Sequence, residues 1–312
     1  MTTKSAMLLL TILPSLLLVS AQERPGAAAS QAPVAGQAAS SGSLRQIVPG
    51  HYLYSTTNEG RLFNSGVVVT SDGVLVIDAL GSEASARAAR GSISSVIKQP
   101  VRYLVSSSFH DPFSKGNIAY GDVFKLGHDN YRTGLLDQMQ RGGASAEEQR
   151  ARLPNETFRD RATFYFGGKE IQVLHFGRAH TRGDSIVFVP QDRIAYMSEV
   201  FYSQEFPNMA MGYGVSWLRV LDAVDALGAD IFVPGHGPVP EDPRGTRTEL
   251  QRMRQILVDA RDAIQSEIAR GATEDQAVAA VKLQPYANLP SYGGQREVVV
   301  RRMYKELTGN LP

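Results

Sequence analysis

Cysteine is absent from the 312-residue sequence. Without it, the fold cannot contain the disulfides that stabilise many exported proteins. No thiolate is available as a nucleophile or as a metal ligand. A lipoprotein anchor, which needs a cysteine directly after the cleavage site, is excluded for the same reason.

An excess of either charge is also lacking, since 32 basic and 31 acidic residues leave a formal net charge of +1. Proteins that bind nucleic acids or anionic membrane surfaces usually present a strongly basic face. The composition therefore favours a small-molecule substrate or ligand as the partner and predicts no nucleic-acid binding. It leaves the oligomeric state open.

Long apolar runs are lacking beyond the start of the chain. Lys4 precedes an apolar run from residue 6 to residue 19, which is broken by Pro14 and followed by small residues up to Ala21. This pattern predicts a secretory signal peptide at residues 1–21 that is cleaved after Ala21. A membrane span needs about 20 apolar residues. We therefore expect a secreted or periplasmic protein without a membrane span.

The rest of the chain divides into three parts by composition. Residues 22–43 consist mainly of small and polar residues with little aliphatic bulk, which is typical of a disordered leader. Residues 44–245 alternate β-branched runs with helical stretches, which predicts a layered α/β domain. Residues 246–312 carry only helical patterns and are predicted to form a C-terminal helical extension.

Local signals predict individual elements. A hairpin turn is expected at residues 71–73 and another at residues 167–168, where glycine allows a tight turn. Ser82 is expected to cap a helix at residues 82–98. A single charged helix is expected at residues 132–150, and a short strand at residues 194–197 is expected to lead into Glu199.

Three histidines lie in polar loops beside strand-like runs. His110 lies in YLVSSSFHDPFSKGN, His180 in FGRAHTRGDSIVFVP and His236 in DIFVPGHGPV. Nearby glycines give the backbone room to turn each imidazole, so we expect the three side chains to share a cleft. The remaining histidines match no ligand motif and are predicted to be packed or solvated: His51, His128 and His175.

The order of these motifs resembles that of the metallo-β-lactamase-fold hydrolases. The resemblance runs from about residue 46 to residue 240, and residues 298–309 are similar to the C-terminal helix of a bacterial branch of that superfamily. It implies a four-layer αββα sandwich, here with a C-terminal helical extension. It also implies hydrolysis that depends on zinc, in a site that holds two metal ions.

The first motif departs from the family pattern, which reads HxHxDH followed by Gly-Asn. Counting back from Gly116 and Asn117, the four ligand positions hold one histidine and three residues that are poor ligands or none. Proline and phenylalanine have no metal-binding atoms, and serine is a poor zinc ligand. These four positions are Ser108, His110, Pro112 and Phe113.

The resemblance therefore implies one zinc ion at most. Its candidate ligands are His110, His180, Glu199 and His236, with Glu199 at the place of the family's aspartate. Two histidines and a glutamate form a recognised catalytic zinc set that keeps an open position for water. Asp111 and Glu199 are the candidate catalytic residues, with Asp111 as a general base or a displaced ligand.

Two functions remain open at this point. The first is an exported hydrolase that cleaves an ester, amide or lactone bond. The second is a non-catalytic binding protein that uses the same scaffold with a dismantled metal centre. The sequence does not decide whether the protein is an enzyme, and it does not identify the substrate.

Overall fold

The structure is a computed structural model that describes residues 42–311. The predicted signal peptide at residues 1–21 and the predicted leader up to residue 41 lie outside the described residues. The first strand begins at Ser43, the last residue of the predicted leader.

The strands of the described residues form one hydrogen-bonded sheet of 12 strands. They are β1 (Ser43–Val48), β2 (His51–Asn58), β3 (Arg61–Thr70), β4 (Gly73–Ile77), β5 (Val101–Ser106), β6 (Phe124–His128), β7 (Glu156–Phe158), β8 (Arg161–Phe166), β9 (Lys169–Leu174), β10 (Ile186–Val189), β11 (Ile194–Tyr202) and β12 (Ile231–His236). The order is β7-β6-β5-β4-β3-β12-β11-β10-β9-β8, and β2 pairs with both β1 and β3. The two halves of the sheet join where Phe63 of β3 pairs with His236 of β12.

The α-helices of residues 42–311 are α1 (Glu83–Val96), α2 (Asp111–Ser114), α3 (Asp129–Arg141), α4 (Ala146–Arg152), α5 (Gly214–Asp225), α6 (Thr246–Ala269), α7 (Glu274–Ala280) and α8 (Tyr292–Leu307). Within this described part of the chain, no helix has the length and apolar character needed to cross a bilayer.

The buried side chains show how these elements are layered. One core cluster lies between the two halves of the sheet and joins Leu75 and Val105 to Val173 and Val187. A second cluster packs α1 against the outer face of β3, β4 and β5, with Ile93 at its centre. A third packs α5, α6 and α8 against the outer face of β10, β11 and β12. The predicted four-layer αββα sandwich is confirmed.

The C-terminal helices share this third cluster with the sheet. The carboxylate of Glu306 in α8 accepts hydrogen bonds from the backbone N–H groups of Val215 and Ser216, at 2.9 Å each. These groups belong to the first turn of α5, where unpaired N–H groups favour a negative charge. The helical extension therefore stabilises an element of the preceding domain directly.

Most local predictions agree with the structure, and two differ. Ser82 caps α1, and the turn at residues 167–168 joins β8 to β9 as expected. The expected helix at residues 132–150 is wrong: α3 ends at Arg141, Gly143 has a φ of 73°, and Ser145 caps α4. The strand expected at residues 194–197 continues to Tyr202, so Glu199 lies within β11.

Candidate metal centre

Four different parts of the fold bring the predicted site residues together. His110 directly precedes α2, His180 lies in the loop between β9 and β10, and His236 ends β12. Glu199 lies in β11, where the pairing with β12 is irregular on both sides of Ser198 and Ser198 has a φ of 48°. Such a bulge redirects the side chains that follow it, and here it precedes the carboxylate at the centre of the site.

Glu199 is the residue around which the site is built. Its Oε2 lies 2.9 Å from His180 Nε2, and its Oε1 lies 3.0 Å from His236 Nε2. His110 Nδ1 lies 2.9 Å from both carboxylate oxygens. Ser108 donates to Oε2 at 3.2 Å, so this residue also lies at the predicted place. The expected convergence of three imidazoles and one carboxylate is therefore present.

Of the four predicted ligands, His110 alone is partly exposed. The side chains of Glu199 and His180 are 0% exposed, and that of His236 is 1% exposed. The side chain of His110 is 25% exposed. The imidazole of His110 is therefore the part of this group that solvent reaches.

Burial and charge act in opposite directions on Glu199. Burial alone raises the pKa of this carboxyl, but the imidazoles of His180 and His110 outweigh it and hold the pKa well below its usual range. Burial lowers the pKa of His180, but the charge of Glu199 outweighs it, so the pKa is raised above its ordinary value. Burial also lowers the pKa of His236, and there it prevails. Glu199 is therefore ionised at neutral pH.

His180 presents one nitrogen without a hydrogen-bond partner. Its Nδ1 lies 3.0 Å from the backbone oxygen of Asn208, which can only accept, so Nδ1 carries the proton. Its Nε2 is buried and 2.9 Å from Glu199, but this contact does not have the geometry of a hydrogen bond. Metal-binding histidines commonly donate their second N–H to a carbonyl in this way.

His236 lies in different surroundings, among aromatic rings. The ring of Tyr202 stacks on it with centroids 4.3 Å apart and an interplanar angle of 7°. Phe63 and Phe113 meet it edge-on, at 4.9 Å and 5.2 Å. Phe113 is completely buried. A phenylalanine from the changed motif thus occupies the space beside His236.

Three of the four predicted ligands form a group that can hold a metal ion. One ligand atom each from His110, His180 and Glu199 lies within 4.8 Å of the other two. The donor set of two imidazoles and one carboxylate suits zinc, and the unpartnered Nε2 of His180 fits such a ligand. His236 is not part of this group. Its role as a ligand stays a prediction.

Asp111 lies next to His110 in the sequence but makes other contacts. Its carboxylate accepts a hydrogen bond from Gln138 Nε2 at 2.5 Å and pairs with Lys115 at 2.8 Å and with Arg152 at 3.4 Å. These contacts tie α2 to α3 and α4. The proposed role of Asp111 as a general base stays a prediction.

The sequence analysis did not find two residues at the site. The hydroxyl of Tyr202 lies 3.5 Å from Glu199, and Arg61 Nη2 lies 3.4 Å from His236 Nδ1. Tyr202 lies three residues after Glu199 in β11, where regular alternation would place the two side chains on opposite faces, but the pairing with β12 is irregular here. Arg61 begins β3 after a turn and carries no local signal.

A family model described as the metallo-beta-lactamase superfamily matches residues 60–236. This range begins beside Arg61 and ends at His236. Among curated proteins, the linear primary-alkylsulfatase of Pseudomonas sp. (strain ATCC 19151) is 29% identical over 168 residues. That match covers 50% of this chain and 31% of the relative, so the chain spans less than a third of the relative's length.

Two solved structures illustrate the similarity of the fold. A metallo-beta-lactamase from Pontibacter korlensis has a TM-score of 0.59 and 20% identity, covering 69% of this chain and 98% of its own. The stereoselective inverting sec-alkylsulfatase Pisa1 from Pseudomonas sp. has a TM-score of 0.65 and 17% identity, covering 86% of this chain and 50% of its own. At these identities the similarity concerns the fold alone.

Proposed function

This chain belongs to the metallo-beta-lactamase superfamily, and we propose that it is an exported hydrolase that uses a single zinc ion. The proposed ligands are His110, His180 and Glu199. The proposed substrate is a small molecule with an ester, amide or lactone bond. An ester is favoured because a relative is named an alkylsulfatase, an enzyme of sulfate esters.

The observation that carries this proposal is the state of His180. Its Nδ1 is fixed by the carbonyl of Asn208, and its buried Nε2 lies 2.9 Å from Glu199 Oε2 without a well-aligned hydrogen bond. A buried polar atom whose hydrogen bonding is incomplete costs up to roughly 1–3 kcal/mol. A metal ion bound at Nε2 removes this cost, which is a reason for the arrangement that a purely structural histidine lacks.

The residues of this chain supply the rest of the site. A bound zinc ion acts as a Lewis acid and makes water a nucleophile near neutral pH. Glu199 provides the negative charge that balances a cation in the closed interior. The partly exposed His110 marks the side from which water and substrate enter. The fully buried Phe113 provides an apolar wall beside His236.

The second candidate, a non-catalytic binding protein, is favoured by the state of Glu199. Its carboxylate accepts from Ser108 and contacts the imidazoles of His110 and His236, so protein groups alone satisfy it. The aromatic ring of Phe113 also fills the side where the family has further ligands. In this alternative, the closed polar cluster is structural and the cleft beside His110 only binds a ligand.

Metal analysis combined with hydrolysis assays distinguishes the two functions. The full chain is reconstituted with zinc and assayed with a chromogenic lactam, an aryl ester and an aryl sulfate. We expect one zinc per chain and turnover that is lost on chelation and in His180→Ala. The control is His51→Gln, which changes a buried histidine that contacts Tyr196 and Asp192 instead of the site. A folded protein without metal and without turnover supports the binding protein.

The proposed export is tested independently. The full chain with a C-terminal tag is expressed in a Gram-negative host, and the cells are fractionated. We expect the protein outside the cytoplasm with Gln22 as its first residue, because cleavage is expected after Ala21. Recovery of the uncleaved chain from the cytoplasm contradicts this part of the proposal.

A further inference from the structure

Arg61 determines which nitrogen of His236 carries a proton. Its Nη2 lies 3.4 Å from His236 Nδ1, and a guanidinium can only donate. Nδ1 must therefore accept, and the proton of the neutral imidazole lies on Nε2. This nitrogen lies 3.0 Å from Glu199 Oε1, an acceptor. Both contacts of His236 are satisfied by the same tautomer.

Arg61 is held in place from two sides. Its Nε donates to Glu205 Oε1 at 2.6 Å, and its guanidinium lies 5.6 Å above the ring of Phe63. Ser291 donates to the same Oε1 of Glu205, also at 2.6 Å. Ser291 directly precedes α8, so the chain of contacts runs from the helical extension through Glu205 and Arg61 to His236.

From these contacts we propose that His236 is a hydrogen-bond donor that orients Glu199 and is not a metal ligand, and that Arg61 is the positioning residue that fixes this role. A ligand nitrogen must offer its lone pair to the metal, but the Nε2 of His236 offers a proton to Glu199. Aromatic rings pack around His236, and its two ring nitrogens make polar contacts with Arg61 and Glu199.

The proposal deepens the proposed function and rests on it for the part that concerns metal. In this arrangement, His180 offers a lone pair to the metal ion. His236 instead donates a hydrogen bond to Glu199. Partners of a metal ligand typically change metal affinity by about 10–100-fold when they are lost. Loss of His236 should therefore weaken zinc binding without removing the site, whereas loss of His180 should remove it.

The tautomer is measured by nitrogen NMR of the ¹⁵N-labelled full chain without metal. The signals of His236 are assigned by their disappearance in His236→Gln. We expect a protonated Nε2 and an unprotonated Nδ1 in the wild type. Arg61→Met should shift the population towards the other tautomer, and Arg61→Lys, which keeps a donor, should restore the wild-type pattern. Arg87→Met is the control, since Arg87 lies on the surface and pairs with Glu83.

A protonated Nδ1 in the wild type overturns the proposal, as does an Arg61→Met spectrum identical to that of the wild type in a folded protein. The spectra require neither metal nor turnover, so they remain decisive if the proposed function fails.

Cobalt titration with absorption spectroscopy tests the metal part. We expect one cobalt per chain in the wild type and in His236→Gln, with binding about 10–100-fold weaker in the variant, and no site in His180→Gln. Circular dichroism confirms that each variant is folded. Complete loss of cobalt in His236→Gln overturns the proposal. A wild type that binds no cobalt contradicts the proposed function and leaves the tautomer result standing.

Discussion

His180 and His236 contact the same carboxylate, but their surroundings give them opposite roles. The far nitrogen of His180 faces the carbonyl of Asn208, and that of His236 faces the guanidinium of Arg61. A carbonyl requires a proton on the histidine nitrogen that faces it, and a guanidinium requires a lone pair there. In their neutral forms, the two imidazoles therefore carry the proton on different nitrogens. A histidine in a ligand motif is thus a ligand only if its second nitrogen permits it.

Removal of Glu199 should affect His180 and His236 together and should have the largest effect. Glu199→Ala removes the carboxylate that accepts from His236 Nε2 and that lies 2.9 Å from His180 Nε2. Loss of one partner from a buried charged pair typically costs about 3–5 kcal/mol. We expect this loss in the free energy of unfolding, measured by urea denaturation, together with loss of zinc.

The matched control for this experiment is Glu83→Ala. Glu83 pairs with Arg87 on the surface of α1, with both side chains well exposed. Such pairs contribute roughly 0–1 kcal/mol. Equal losses for the two variants would mean that Glu199 is not the centre of a buried cluster.

Restoration of the family motif should create a second metal site in the aromatic surroundings of His236. The triple variant Ser108→His, Pro112→Asp, Phe113→His supplies the missing ligands, and we expect zinc uptake above one ion per chain. Its stability should fall by roughly 1–3 kcal/mol, because a polar ring replaces the fully buried Phe113. Metal analysis and urea denaturation measure the two effects.

The single variant Ser108→His is the control for this experiment, because it leaves Pro112 and Phe113 in place and should not add a second ion. Zinc uptake of the triple variant equal to that of the wild type would mean that the motif positions have been aligned incorrectly.

His128 is a histidine outside the site that can be compared with His180 and His236. We expect a smaller effect from its substitution. It stacks on His175 with centroids 3.7 Å apart, and its Nε2 donates to the backbone oxygen of Arg159 at 2.7 Å. Burial and the neighbouring His175 lower the pKa of His128 to about 4, while Asp129 and Asp160 act weakly in the opposite direction.

Because its pKa is lower in the folded state, His128 binds its proton mainly in the unfolded chain between about pH 6.5 and pH 4. Its contribution to stability is complete above pH 6.5 and is lost as the pH falls through this window. His128→Gln should make the free energy of unfolding less dependent on pH there, measured by urea denaturation at a series of pH values. An unchanged slope would contradict this assignment.

The contact between the extension and the site should give the smallest effect. Ser291→Ala removes one hydrogen bond to Glu205, and a typical hydrogen bond contributes about 1 kcal/mol to stability. We expect the free energy of unfolding to fall by that amount. We also expect a slightly larger population of the minor tautomer of His236. Ser95→Ala, which removes an exposed hydrogen bond within α1, is the control and should change neither quantity.

The sequence contained most of the fold and the positions of the site residues. Alternating strand and helix patterns indicated a layered α/β domain, and the resemblance to the metallo-β-lactamase fold implied the sandwich. The order of His110, His180, Glu199 and His236 indicated their convergence. These signals are local residue patterns or the order of motifs along the chain, and both can be read from the sequence. The break between α3 and α4 was missed although the sequence carries a signal for it, since two glycines follow Arg141 and Ser145 caps the next helix.

The chemistry of the site was less predictable because it depends on distant contacts. Arg61 is far from His236 in the sequence, and no local pattern indicates that the two side chains meet. The contacts of Asp111 with α3 and α4 depend on helix packing in the same way. The proton positions on His180 and His236 follow from such contacts and are invisible in a motif.

Anomalous diffraction from a crystal of the zinc-reconstituted protein tests the central claim most directly. Data collected on both sides of the zinc absorption edge locate each zinc ion and identify its ligands. We predict one peak per chain, bonded to His110, His180 and Glu199, with none bonded to His236. The absence of zinc at these residues, or a zinc ion bonded to His236, would contradict the account.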